Sequence, residues 1–156
     1  MAQDGSSVNS DGIFEPFSSA AVPWSEWHGS GGEIARFRLL GKYGGGASVG
    51  VTVDELPPGR YSNQLHYHLT EEEHIWILSG AATLYLGARS YVMTVGDYCC
   101  FPAGQKAGHH LFNHTETLCT FLTIGENKPD DVYFYPQTKT ARIKKTGEVL
   151  TIPDGA

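Results

Sequence analysis

Turn-forming residues interrupt this chain at short, regular intervals, and that rhythm sets the fold class. Pro57-Pro58-Gly59, Ser79-Gly80, Gly87-Ala88-Arg89, Gly96-Asp97 and Pro102-Ala103-Gly104 each break the backbone before a helical period can establish itself. The stretches between them are rich in β-formers. Residues 34–40 (IARFRLL), 47–53, 74–78, 81–86, 90–95, 98–101, 109–113, 118–124, 132–135 and 141–152 read as strands. Residues 81–86 and 90–95 read as a hairpin across the turn at 87–89. Short strands with turns every 8 to 12 residues predict an all-β sandwich or barrel. No sequence period of 20 to 50 residues is visible, which argues against a propeller or solenoid.

The first third reads differently. Residues 1–12 are polar and rich in glycine and serine, a composition that predicts disorder. Residues 13–33 scatter Phe14, Phe17, Trp24 and Trp27 among prolines and glycines, the mark of an irregular arm packed against its own domain or a partner subunit. The expected organisation is an N-terminal arm over 1–33, partly disordered, and a single domain over 34–156.

A chain of 156 residues can bury a real core. Its net charge of −6 gives no electrostatic case for nucleic acid. The one basic cluster, Arg142, Lys144 and Lys145, reads as a solvated strand face. The first residues have neither a positive nor an apolar segment, so no secretory signal is expected. No run of 18 apolar residues exists to span a membrane. Cys99, Cys100 and Cys119 have no disulfide or Cys-x-x-Cys pattern, and adjacent cysteines on a strand face opposite sides. Reduced, packed thiols in a cytoplasmic protein are the expectation.

One group of side chains carries chemistry. His66 and His68 stand two apart, so on a strand both imidazoles share a face while Tyr67 points away. A carboxylate follows within the run Glu71-Glu72-Glu73. If a strand begins near Glu73, then Glu73, Ile75 and Ile77 share an apolar inner face, which favours Glu73, with Glu72 next and Glu71 and Glu72 otherwise a solvated turn. The fourth candidate is His109 or its neighbour His110; parity alone permits either. Three imidazoles and a carboxylate suit a divalent first-row metal and leave positions open for a substrate.

These residues lie in two motifs that resemble the cupin superfamily. The first runs from Gly59 through His66, His68 and Glu73 to Gly80, with six residues between Glu73 and Gly80. The second runs from Gly96 through Pro102 and Gly104 to His109 and Asn113. The chain departs from the family pattern in two turn lengths: six residues, where the pattern has five, separate Gly59 from His66, and four, where it has two, separate Gly104 from His109. Both lie outside the ligand spacing. The resemblance assigns the fourth ligand role to His109. It implies a jelly-roll β-barrel holding Fe, Mn, Ni or Zn through His66, His68, Glu73 and His109. It also implies a metal-dependent enzyme acting on a small oxygenated metabolite, of isomerase, lyase or dioxygenase type. The alternative is a non-catalytic metal- or small-molecule-binding module. Tyr61, Gln64 and Tyr98 are the expected substrate-binding residues, with Arg60 and His110 as further polar candidates. Exposed aromatics on an outer face, such as Trp76 and Phe112, predict a homodimer. No Ser-His-Asp pattern is present, and residues 41–46 (GKYGGG) lack the ending of a phosphate-binding loop.

Overall fold

The computed structural model describes residues 5–155. Thirteen strands account for nearly all regular structure: β1 (Trp24–His28), β2 (Ile34–Leu39), β3 (Val49–Leu56), β4 (Tyr67–His68), β5 (Glu73–Ser79), β6 (Ala81–Leu86), β7 (Arg89–Thr94), β8 (Tyr98–Phe101), β9 (His109–Phe112), β10 (Cys119–Glu126), β11 (Val132–Tyr135), β12 (Thr140–Ile143) and β13 (Val149–Thr151). Among the described residues helix is confined to a 3-10 turn at Ser19–Ala21 and a single turn, α1 (Leu40–Tyr43), and no helix is long and apolar enough to cross a membrane.

The strands form a six-stranded sheet in the order β1-β2-β3-β10-β5-β8, a four-stranded sheet β13-β12-β11-β4 and a three-stranded sheet β7-β6-β9. Every named pairing is antiparallel. Alternation along the strands decides which residues go inside. Leu56, Ile75, Ile77, Phe101, Cys119 and Phe121 from the six-stranded sheet meet Ala82, Leu84, Met93 and Leu111 from the three-stranded one in a single buried cluster. The fold is therefore an all-β sandwich whose core lies between those sheets.

Gly80 makes the turn from β5 to β6. Its φ is +72°, and a Cβ there would sit 2.5 Å from the carbonyl oxygen of Leu118. Both the backbone sign and the space require glycine.

The N-terminal region differs from the sequence expectation. Trp24–His28 is a strand in register with β2, from Trp24 opposite Arg38 to His28 opposite Ile34. A boundary at residue 33/34 would cut this hairpin at its turn. Trp24 is clasped by two guanidiniums, with Arg36 at 4.3 Å and Arg38 at 4.1 Å from its ring centre. Ser7 is buried and its N–H donates to the Tyr43 carbonyl at 2.9 Å, while Phe17 packs on the Tyr43 ring at 4.7 Å. Residues 5–12 thus have a docked conformation, and the disorder expected for residues 1–4 falls outside the described residues. The predicted strand over 141–152 is two strands, because the chain turns at Gly147 with φ +73°.

Candidate metal centre

The four predicted ligands come from separate pieces of chain that only folding unites. His66 lies just before β4 and is bridged to His109 at the start of β9, whose N–H donates to the His66 carbonyl at 2.9 Å. His68 ends β4, and Glu73 opens β5 on the inner face shared with Ile75 and Ile77. Ligand atoms of all four lie within 4.8 Å of one another. His66 Nε2 is 3.2 Å from His68 Nε2, which is 3.0 Å from one Glu73 oxygen; His109 Nε2 is 3.7 Å from the other.

The far side of each ring fixes its orientation. The Nδ1 of His66 lies 2.7 Å from the Gln64 carbonyl, and that of His68 lies 2.7 Å from Asp131 Oδ2. Both neighbours only accept, so both Nδ1 atoms carry the proton in the neutral rings. The two Nε2 lone pairs then face each other beside a carboxylate, a repulsive arrangement unless a positive charge lies among them. His109 is more telling still: it is 3 % exposed, and neither of its ring nitrogens has a hydrogen-bond partner. Its ring stacks flat on Phe101, with centroids 3.6 Å apart and planes at 2°. Oriented, dehydrated nitrogens with no protein partner and an adjacent carboxylate fit a divalent metal.

The electrostatics agree. Burial, reinforced by the neighbouring His109, pulls His66 down to about 4, which keeps it neutral. Burial alone would raise Glu73, but contacts with His109 and His68 outweigh it and hold the carboxyl well below the usual range. Burial would lower His68, yet Glu73 and Asp131 more than compensate and raise it.

A set of buried carboxylates behind His68 was not legible in the sequence. Asp131 is completely buried; its Oδ1 accepts from the Thr70 N–H at 2.8 Å and the Thr70 hydroxyl at 3.0 Å, leaving Oδ2 for His68. Glu71, expected in a solvated turn, is buried at 6 % exposure, 3.4 Å from His68 Nδ1, and pairs with Lys144. Lys144 therefore does not belong to a solvated basic face. The signal for these residues is weak in sequence, since Asp131 meets His68 across 63 positions.

A cavity of about 540 Å³ opens on Glu73 and His109. Its walls are mainly apolar, with Phe37, Ile75, Leu84, Phe101 and Phe121, and Trp27 from the N-terminal hairpin. Asp54 is the one lining carboxylate besides Glu73, and no lysine or arginine lines the space among the described residues. Thr52 donates to Asp54 Oδ2 at 2.6 Å. Burial pushes Asp54 up to about 6 against the hydrogen bonds from Thr52 and Thr123, with the charge of Glu73 adding to the rise.

The expected substrate-binding residues divide. Gln64 shares a smaller cavity of about 240 Å³ with His66, Tyr133, Tyr135 and Arg142. Tyr61 stacks on His110 at 4.8 Å and Phe112 at 4.6 Å and does not line the main cavity; His110 does. Tyr98 lies apart from the cluster. It lies 2.6 Å from His74 Nδ1, opposite Trp76, on the strand face turned away from Glu73 and Ile75, because parity in β5 and β8 sends it outward. Trp27, read as an arm aromatic, is a cavity wall.

Residues 52–125 match the Cupin domain family model. A probable oxalate decarboxylase of Arthroderma benhamiae is 37 % identical over 75 residues, covering 45 % of this chain and 18 % of that protein. The quercetin 2,3-dioxygenase of Bacillus subtilis is 25 % identical over 125 residues, covering 59 % of this chain and 37 % of that one. The chain thus spans well under half of each of these relatives. Among solved structures, a sugar phosphate isomerase from a cupin superfamily, of Silicibacter pomeroyi, superposes with a TM-score of 0.78 at 26 % identity, covering 91 % of this chain and 95 % of that one. With the motif spacing, the sandwich and the matched domain in agreement, the chain belongs to the cupin superfamily.

Proposed function

We propose that this protein is a metal-dependent enzyme of isomerase, lyase or dioxygenase type, acting on a small, oxygenated and largely uncharged metabolite within a jelly-roll cup. The observation that carries the reading is the convergence of His66, His68, Glu73 and His109 at one end of the main cavity. A bound Fe, Mn, Ni or Zn ion would polarise a substrate carbonyl or hydroxyl oxygen there. The relatives named above support this range of chemistries and do not select one.

The chain's own residues supply the rest. Aromatic walls exclude water and bury an apolar substrate skeleton. With no lysine or arginine among the described residues lining the main cavity, a phosphate there would have only the metal to pair with; Arg142, beside His66 in the smaller one, suits an acidic substituent. Asp54, poised near neutrality, accepts a proton from a substrate hydroxyl or activated carbon and returns it. The expected homodimer belongs to the same reading, supported by exposed apolar residues such as Trp76, Val92 and Val149; sedimentation equilibrium at twice 17.0 kDa tests it.

The test uses protein loaded with each of the four metals and a panel of phenols, keto acids and hydroxy sugars. Turnover is expected in the wild type and is lost, with metal retained, in Asp54→Asn. His66→Ala/His68→Ala is expected to lose both this metal and turnover. Equal occupancy of the site in the double variant overturns the reading. Saturable binding without turnover would make the protein a binding module.

A further inference from the structure

On the opposite face of β5, the structure brings together a second set of donors that the proposed reaction does not use. Glu72 and His74 are two apart and share this outer face. Cys100 of β8 is directly across from His74 in the antiparallel register. An oxygen of Glu72, a nitrogen of His74 and the sulfur of Cys100 lie within 4.8 Å of one another, all partly buried. Tyr98 completes the group, its hydroxyl 2.6 Å from His74 Nδ1, while His74 Nε2 lies 2.7 Å from Glu72 Oε1.

We propose that Glu72, His74 and Cys100 form a second metal site, selective for a thiophilic divalent ion such as Zn²⁺, at the edge of the six-stranded sheet. The charges balance: one carboxylate and one thiolate neutralise the ion, and the imidazole stays neutral. The protons balance as well. In the metal-free site Glu72 accepts from Nε2–H, and the Tyr98 hydroxyl donates to Nδ1. On binding, the imidazole proton moves to Nδ1, the Tyr98 hydroxyl rotates to accept it, and Nε2 takes the metal. Cys100 gives up its thiol proton to solvent, so one proton is released per ion. Tyr98 then acts as the positioning residue that holds the ring. A hydrogen-bond chain from Tyr98 to Glu72 has no need of a thiol opposite its histidine, whereas a metal site needs a third donor there. Sulfur sets the preference, since thiolates favour zinc and its analogue Co²⁺ over magnesium, calcium or manganese.

The two sites can be told apart because the first contains no sulfur. The experiment is titration of the full-length, metal-free protein with Co²⁺, following the near-ultraviolet sulfur-to-cobalt charge-transfer band and counting equivalents. The wild type is expected to show the band and bind two equivalents. Cys100→Ser is expected to lose the band and one equivalent, whereas Cys99→Ser, on the inner face, loses neither. His66→Ala/His68→Ala is expected to keep the band, which separates this site from the proposed catalytic one. Tyr98→Phe is expected to weaken binding at this site by roughly tenfold. Added Zn²⁺ should bleach the band. No band in the wild type, or a band that survives in Cys100→Ser, overturns the proposal. Glu72 and His74 are left unchanged because they flank Glu73.

Discussion

Asp131 has no exposed surface and stands outside the candidate metal centre, yet its hydrogen bond to Nδ1 sets which nitrogen of His68 faces the cluster. Its Oδ1 is committed to the N–H groups of Thr70 and Glu71. In Asp131→Asn the amide oxygen keeps those two donors, so the amide nitrogen turns to His68 Nδ1. That moves the ring proton to Nε2 and blocks the ligand position. Metal affinity is expected to fall by about 10–100-fold, read by competition with a chromophoric chelator. Asp54 makes a pH prediction. Its folded pKa is raised from 3.8 to about 6, so its contribution to stability is fully present below 3.8 and is lost as pH rises through 6. The loss is on the order of 2–3 kcal/mol. Because His66 titrates in the opposite sense over part of the range, the readout is the difference between wild type and Asp54→Asn in urea unfolding from pH 3.5 to 7; that difference should shrink with rising pH by about that amount. The grouping of His66, His68, Glu73 and His109 was legible because strand parity and motif spacing are local. Asp131 and Asp54 were not, because their roles depend on which distant strands lie beside them. The outward placement of Tyr98 follows from its pairing with Trp76, which only the strand register reveals.

At the level of strands and turns, the alternating pattern was readable where one face is buried. β5 shows it best: Glu73, Ile75 and Ile77 point inward while Trp76 and Leu78 stay exposed. β2 was read as the strand over 34–40, but its hairpin partner β1 was missed because most of β1 is exposed and the turn after it contains several glycines, so hydrophobic alternation gives little signal. Turn glycines offer a contrast that tests the fold. Gly59 and Gly80 both have φ +72°, but a Cβ at Gly59 would meet nothing within 4 Å, whereas at Gly80 it would strike the Leu118 backbone. Gly59→Ala is expected to lose about 1–2 kcal/mol from the left-handed backbone alone. Gly80→Ala should lose clearly more, because β5 and β10 must also shift apart. Urea midpoints of the two variants check this, and equal losses would contradict the packing described at the β5–β6 turn.

For the molecule as a whole, the proposed metal would link binding to folding. A cluster that assembles only when β4, β5 and β9 converge exists only in the folded chain, so a metal bound there would stabilise that chain. At a free metal concentration of 100 times Kd the gain is about 2.7 kcal/mol. For a domain of this size that raises the thermal midpoint by roughly 5–11 °C. Calorimetry before and after chelation, on a Cys100→Ser background, measures the first centre alone; His66→Ala/His68→Ala should show no shift. Fold class and family were readable from the sequence because turn rhythm and ligand spacing agreed. The cavity was not, since its lining comes from strands scattered across the chain, from Trp27 of β1 to Tyr133 of β11. The placement of Trp27 has one more consequence. Clipping the chain between β1 and β2 would strip a side wall from the main cavity and turn it into an open gutter. The same cut would leave β2 as a bare sheet margin, inviting aggregation with other copies. Proteolysis or a badly placed fusion tag near residue 30 is therefore expected both to open the cavity and to promote aggregation.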